Sequence, residues 1–227
     1  MPSSIPKPFA PAFRFLTAGL LAMALASCAS VPPPSFKGLP ERVEIGSVPF
    51  YRGQANQGGA LALAALLTQQ GVQITPGMLD KPLNLPEGVN ALQTAIPHVA
   101  RDYGMVVYPL EPQLKALLAQ VAAGNPVLVR YHEGSSMWGG PRYAVLIGYD
   151  SYKQRVLLRA GMDRRAMLSF EEFSTAWAEE GSWAVLVQPP GQLPAQVDRQ
   201  RWLEAADELA RAGQERAARQ AVSSLGP

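Results

Sequence analysis

The chain contains very little of the two residue types that most often supply nucleophiles, bases and metal ligands. Its 227 residues include one cysteine and two histidines. A single cysteine cannot close a disulfide within the chain, and two histidines without a free thiol give no zinc-ligand spacing. Walker and dinucleotide-binding signatures are also missing. We therefore expect no metal and no cofactor.

Charge of one sign and long apolar runs are lacking as well. The chain has 20 basic and 18 acidic residues, a formal net charge of +2, and no basic run stands out. Nucleic-acid binding requires clustered lysine and arginine to neutralise phosphates, so the composition predicts no nucleic-acid partner. A membrane-spanning helix needs ~20 apolar residues. The apolar stretch Phe15–Leu25 is too short for that and is typical of a signal peptide.

The cysteine follows that stretch directly. The tetrapeptide Leu25-Ala26-Ser27-Cys28 resembles a bacterial lipobox, in which signal peptidase II cleaves before the cysteine and lipid is attached to its sulfur. The resemblance implies a signal peptide over residues 1–27 and membrane anchoring through lipid on Cys28. The next residue is Ala29 rather than aspartate, which by resemblance to enterobacterial sorting rules favours the outer membrane, facing the periplasm. The alternative is a buried free thiol after an ordinary signal.

Composition divides the rest of the chain into three regions. Residues 28–42 include Val31-Pro32-Pro33-Pro34 and are predicted to form a Pro-rich, semi-rigid tether. Residues 43–190 have the length and apolar content of one domain. Residues 191–227 are rich in Ala, Glu, Arg and Gln, and two helical halves separated by Ala212-Gly213 predict an αα-hairpin that resembles one tetratricopeptide-like unit.

Within the domain, the patterns predict a buried helix followed by helices and then strands. Ala60–Gln70 is almost purely apolar, and Ser169 with Glu172 forms a capping-box pattern at the start of a later helix. The other predicted helices are Gly88–Tyr103, interrupted at Pro97, and Glu111–Ala123. The predicted strands are a short one near Val43–Val48, then Met105–Tyr108, Val127–Tyr131, Tyr143–Tyr149, Arg155–Arg159 and Trp183–Val187.

This order, together with three segments, resembles the papain-like cysteine peptidases of the bacteriocin-processing type (family thirty-nine of clan CA). The segments are Val48–Tyr51 followed by Gln57–Leu63, then Pro126–Arg130, and Arg142–Asp150. A lipoprotein branch of that family with a tetratricopeptide-like tail is similar over residues 43–225. The resemblance implies an α+β, papain-like fold in which a buried N-terminal helix packs on an antiparallel sheet, followed by a C-terminal αα-hairpin.

The family's catalytic positions are occupied by other residues here. Where the family has the nucleophilic cysteine, this chain has Gly58, and Arg142 stands at the position of the histidine. Gln54 lies one residue out of register with the oxyanion glutamine, and Gln57 precedes the nucleophile position. No acid occurs in Leu158–Gly161, where a third catalytic group is expected. Because arginine holds its proton at neutral pH, the site cannot run thiol acyl transfer.

Other residues offer weaker candidates. His132 enters a loop with Glu133, Ser135 and Ser136, which leaves open a Ser-His-acid arrangement. His98 is interpreted as a surface or structural residue.

Binding candidates lie around the helix start. Gly58 and Gly59 either form the turn into the buried helix or, with Arg142, bind an anion at its N-terminus. Trp138 and Tyr143 are candidates to line a peptide groove. If the alignment is right, the α-carbons of Gly58 and Arg142 lie less than ~12 Å apart.

Three functions remain open at this stage. The first is a lipid-anchored envelope protein whose peptidase-like domain is catalytically degenerate and binds a peptide or an envelope protein. The second is a periplasmic peptidase with a non-standard site. The third is a structural envelope lipoprotein without a ligand. The first is favoured because both the nucleophile and the base positions are replaced.

Overall fold

The computed structural model describes residues 36–134 and 138–226. The predicted signal peptide, Cys28 and residues 29–35 of the tether lie outside the described residues. Seven strands form one sheet, in the order β2-β7-β3-β4-β5-β6, with β1 paired to β4; every pairing is antiparallel. The strands are β1 (Arg42–Glu44), β2 (Val106–Pro109), β3 (Val127–Glu133), β4 (Gly140–Asp150), β5 (Arg155–Ala160), β6 (Asp163–Ser169) and β7 (Ala184–Gln188).

Among the described residues, seven α-helices flank the sheet. They are α1 (Gly58–Gln69), α2 (Pro76–Leu79), α3 (Leu92–Asp102), α4 (Leu114–Ala122), α5 (Phe170–Glu179), α6 (Arg199–Arg211) and α7 (Glu215–Ser223). Two 3₁₀ turns, Ala55–Gln57 and Glu87–Ala91, lead into α1 and α3. This helix-and-antiparallel-sheet arrangement confirms the predicted α+β class.

Helix α1 and helix α3 cover one face of the sheet. Ten of the twelve residues of α1 are buried, because the helix is apolar on every side and is enclosed by its neighbours. Its leucines and alanines pack with Ile96 and Val99 of α3 and with Val145 and Ile147 of β4. This core fixes the position and direction of α1, and therefore the place where its N-terminus opens.

The opposite face is covered by α4, α5 and the C-terminal hairpin. Ser169 accepts a hydrogen bond from the Glu172 amide at 3.1 Å while the Glu172 carboxylate accepts from the Ser169 amide at 2.7 Å, so the predicted capping box starts α5. In the hairpin, Trp202 is fully buried, its indole nitrogen donates to the Ala221 carbonyl at 2.7 Å, and its ring lies 6.0 Å from that of Tyr108. The two predicted halves are therefore α6 and α7, packed together and on β2.

Several predicted elements need correction. Strand β6 was not predicted, because its first three residues are charged and exposed, as an edge strand allows. Pro97 lies inside α3 and does not interrupt it, since a proline removes only one backbone donor from a helix whose apolar side is buried. The helix predicted from Glu111 begins at Leu114, because Gln113 has extended backbone angles and is the N-cap.

Candidate functional site

The chain before α1 forms a tight turn against the β5–β6 hairpin. The Gly53 amide donates to the Gly161 carbonyl at 3.3 Å. The Gln54 amide donates to Oε1 of Gln57 at 3.1 Å, so Gln57 holds the 3₁₀ turn and its side-chain oxygen is engaged there. A Cβ at Gly53 would lie 2.9 Å from that same oxygen and 2.9 Å from Leu61 Cδ1, so a side chain there would displace the ends of both side chains. Gln54 is exposed and faces the cavity described below.

Gly58 is the first residue of α1 and lies directly against β4. Its φ and ψ are −51° and −39°, an ordinary right-handed helical conformation that any residue adopts. A Cβ there would lie 3.3 Å from the Tyr143 carbonyl oxygen and 3.6 Å from the Tyr143 nitrogen. Since that nitrogen is one bond from the Arg142 carbonyl carbon, the α-carbons of residues 58 and 142 lie within ~8 Å. The alignment to the peptidase family requires this proximity.

Arg142 is held by the neighbouring strand. Its Nε donates to the Glu133 carboxylate at 2.9 Å, and a terminal nitrogen donates to the Pro141 carbonyl at 3.1 Å. The Arg142 side chain is 30% exposed and that of Glu133 58%, so this ion pair is a solvated one and contributes little to stability. An arginine side chain carries five N–H donors and no acceptor. Arg142 can therefore orient an anionic or carbonyl group but cannot accept a proton.

Gly58 and Arg142 line one cavity of about 280 Å³ at the N-terminus of α1. Its other walls come from the turn before α1, from β3 and β4, and from the β5–β6 hairpin; they include Gly53, Gln54, Tyr131, Glu133, Tyr143, Gly161, Met162 and Asp163. Burial raises the pKa of Tyr143 to about 12, so its phenol is a hydrogen-bonding group and not a base at neutral pH. Burial likewise raises the pKa of Tyr131 well above its usual range.

The acids of this cavity were not identified from the sequence. The sequence predicts Glu133 only as part of a Ser-His-acid arrangement with His132, and Asp163 lies two residues beyond Leu158–Gly161, where the resemblance implies a third catalytic group. Asp163 Oδ1 accepts from the Arg165 amide at 2.8 Å, which fixes it at the tip of the β5–β6 hairpin. Its position depends on β6, the strand that lacks an apolar pattern.

A second polar cluster surrounds His132 on β3. Its Nδ1 lies 3.0 Å from Glu180 Oε1, and the other oxygen of Glu180 lies 2.7 Å from an Arg130 nitrogen. Arg130 also donates to Gln93 at 2.7 Å. These side chains are 10–23% exposed, so the carboxylate at the end of α5 is shared by two partly buried cationic or hydrogen-bonding groups. The acid paired with His132 is thus Glu180 and not Glu133, while Ser135 and Ser136 lie outside the described residues.

The remaining predicted site residues take different places. Gly59 is buried, and a Cβ there would meet Leu92 Cδ1 at 2.9 Å, so it faces α3 and not the cavity. Trp138 is 89% exposed on the β3–β4 connection and does not line the cavity. Tyr143 does line it, with its ring 5.8 Å from that of Trp183 in an edge-on packing. His98 is exposed on α3, as expected.

Among the described residues, no group of three or more His, Cys, Asp or Glu side chains is arranged to hold a metal ion. Within the same ranges, no helix is long and apolar enough to cross a membrane. The cavity offers backbone amides at a helix start, an arginine, two carboxylates and two tyrosines. Such groups bind and orient a polar chain, but the described residues of the cavity wall include no nucleophile–base pair.

No family model and no curated protein sequence matches this chain significantly. Its fold does match solved structures. A C39-like peptidase from Bacillus anthracis aligns with a TM-score of 0.50 at 17% identity, over 65% of this chain and 98% of that one.

Two further structures align less closely. The peptidase domain of Streptococcus ComA, a bifunctional ABC transporter of a quorum-sensing pathway, has a TM-score of 0.48 at 16% identity, over 62% of this chain and 96% of that domain. Xylellain, a cysteine protease from Xylella fastidiosa, has a TM-score of 0.46 at 12% identity, over 67% of this chain and 87% of that one. The match to the Bacillus anthracis protein establishes the architecture: this chain shares the papain-like fold of the C39-like peptidases.

Proposed function

We propose that this protein is a lipid-anchored envelope protein whose cysteine-peptidase-like domain is catalytically degenerate and binds an extended peptide or a segment of a partner protein. The observation that carries the proposal is the pairing of Gly58 with Arg142 at the mouth of α1. In a thiol peptidase this place needs a thiolate and a group that exchanges a proton with the leaving amine. Glycine and arginine supply neither.

The cavity at the N-terminus of α1 also has the size and the exposed backbone groups that peptide binding requires. The cavity of about 280 Å³ is large enough for one or two side chains, and backbone groups of α1 and of the β5–β6 hairpin line it. Met162, at the tip of that hairpin, is 61% exposed beside the opening. An extended chain laid along the cleft would pair through its main chain and place one side chain in the cavity.

Site-specific photo-crosslinking tests the binding proposal. Ala55 is exposed and lines the cavity, whereas Ala178 is exposed on α5 outside it. With benzoylphenylalanine at either position, in cells that express the full chain, we expect a crosslinked adduct through residue 55 and none through residue 178. The absence of an adduct at residue 55 would favour a structural lipoprotein without a ligand.

The lipid anchor makes a separate prediction. The variant Cys28→Ser removes the sulfur that would carry the lipid, so it should leave the membrane fraction or remain unprocessed. The expectation rests on the sequence, in which no apolar run after Cys28 approaches the ~20 residues that a membrane-spanning helix needs. Fractionation and the intact mass of the mature protein measure it. Unchanged membrane retention together with an unchanged mature mass would rule out lipidation at Cys28.

The alternative function is a periplasmic peptidase with a non-standard site, and the contact of His132 with Glu180 at 3.0 Å is the observation that favours it. A histidine oriented by a carboxylate is the base half of a hydrolase triad. Under our proposal the unmodified protein does not cleave fluorogenic peptides. Turnover that disappears in His132→Ala but persists in the exposed control His98→Ala would establish the alternative.

A further inference from the structure

The N-terminus of the described chain and the β4–β5 hairpin meet at one end of the sheet. Arg42 pairs with Asp150, the Ser151 amide donates to the Glu41 carbonyl at 2.8 Å, and the Tyr149 hydroxyl donates to the Pro40 carbonyl at 2.9 Å. The Phe36 ring lies 5.5 Å from that of Phe170. The point at which the tether joins the domain is therefore fixed by backbone, hydroxyl and ring contacts.

The cavity lies at the other end of the same strands. Strand β4 runs from Gly140 to Asp150, so Arg142 stands near its start and the tether joins beside its end. Eight residue steps at ~3.4 Å each place about 27 Å of strand between them. The β5–β6 hairpin, which carries Gly161 and Met162, closes the cavity end, and the β4–β5 hairpin closes the tether end.

The reach of the tether decides which end faces the bilayer. Eight residue steps separate Cys28 from Phe36, and a fully extended chain of that length spans at most ~29 Å. To turn the cavity toward the membrane, the tether would have to run back along nearly the whole length of β4, which uses almost its entire reach. With the β4–β5 hairpin toward the membrane, no such extension is needed.

The exposed side chains at the tether end suit a bilayer surface. Tyr152, at the tip of the β4–β5 hairpin, is 89% exposed; the next residue, Lys153, is exposed as well, and so is Lys37, which follows Phe36 where the tether joins the domain. Tyrosine favours the headgroup level of a membrane, and lysine extends its ammonium group to lipid phosphates. Glu41 and Asp150 lie at the same end, and the Asp150 carboxylate accepts from the Lys153 amide at 2.9 Å. Arg42 and Arg155, each opposite Asp150 in the strand register, are also exposed here, so charges of both signs are present, and the tyrosine and the point where the tether joins define the contact.

We infer that the anchored domain rests on the phospholipid surface through the β4–β5 hairpin, with Tyr152 at the headgroup level and the cavity facing away from the bilayer. The inference rests on the proposed lipidation of Cys28. The orientation also restricts the kind of partner that can bind. A cavity that faces away from the membrane is accessible to a soluble peptide or protein, or to a protein that extends from the opposite side of the periplasm.

A thiol label tests this orientation in the full, lipidated chain. With the Cys28 sulfur acylated, Tyr152→Cys and Met162→Cys each introduce a single free thiol, and both positions are exposed, so neither change removes core packing. Each variant is labelled with bimane and reconstituted into phosphatidylethanolamine–phosphatidylglycerol vesicles that carry a nitroxide on the lipid headgroup. We expect several-fold stronger quenching at residue 152 than at residue 162.

Vesicle flotation separates the two ways in which this can fail. Protein that floats with the vesicles but is quenched equally at both positions, or more strongly at residue 162, overturns the orientation and leaves the anchor intact. Protein that does not float lacks the anchor, and then both the proposed lipidation and the orientation are wrong.

Discussion

The double variant Gly58→Cys with Arg142→His is expected to cleave a fluorogenic peptide roughly 100 to 10,000 times faster than Gly58→Cys alone, the range that general acid–base assistance contributes. The two substitutions rebuild the missing pair at positions less than ~8 Å apart between α-carbons. A thiol at the start of α1 would have its pKa lowered by the helix dipole, and a histidine at residue 142 could then protonate the leaving amine.

The geometry of Gly58 sets one condition on that experiment. A Cβ there meets the Tyr143 carbonyl oxygen at 3.3 Å, tighter than most such contacts, so the helix start must move by a few tenths of an ångström. The backbone already has helical dihedral angles, so no further strain arises. A thiol-reactive peptide probe counts the accessible thiols in both variants and corrects turnover for any loss of folded protein.

The matched control is Gly58→Ser with Arg142→His, which has nearly the same volume and no thiol. Equal turnover by the single and double cysteine variants, with equal labelling, would show that Arg142 does not occupy the place of the base. The family alignment at β4 would then have to be shifted, although the fold would stand.

The second large effect concerns stability. Trp202→Ala should lower the free energy of unfolding by ~3–5 kcal/mol, as is usual when a fully buried aromatic side chain is truncated. Trp202 fills the space between α6, α7 and β2, and its indole satisfies the Ala221 carbonyl. Trp202→Phe keeps most of the volume and removes the indole donor, while the Ala221 carbonyl still accepts a hydrogen bond from the Ser224 hydroxyl at 2.7 Å, so it should cost less, about 1–2 kcal/mol.

Urea unfolding of the two variants measures both effects. Tyr152→Ala is the control, because that aromatic ring is 89% exposed and its loss should change the stability by less than ~0.5 kcal/mol. An unchanged urea dependence with a lower midpoint would mean that the hairpin unfolds together with the sheet. A change below ~1 kcal/mol for Trp202→Ala would contradict the packing of the hairpin on β2.

Local chemistry made part of this structure predictable. The apolar run of α1 has no polar face, so only a buried helix could accommodate it, and the Ser169–Glu172 pair marks a helix start by its own hydrogen bonds. The hairpin follows from two amphipathic halves around Ala212-Gly213, and the structure places both helices close to the predicted bounds.

What could not be predicted depends on contacts between distant parts of the chain. His132 and Glu180 are 48 positions apart, and only the packing of α5 beside β3 brings them together. Strand β6 is recognisable as a strand only once β5 is beside it, because an edge strand tolerates exposed charge. Asp163 enters the cavity wall for the same reason, so the acids of the site were missed together with the strand.

The position of β7 determines when a newly synthesised chain can complete its sheet. It lies between β2 and β3 and pairs with both, although it follows them by more than 50 residues in the chain. Until Ala184–Gln188 has been synthesised, β2 and β3 each have an open edge and cannot complete the sheet. Completion of the sheet is therefore delayed until Gln188 has been synthesised, which is compatible with the export in an unfolded state that the proposed signal peptide implies. A product terminated before residue 184 would be a substrate for quality-control proteases.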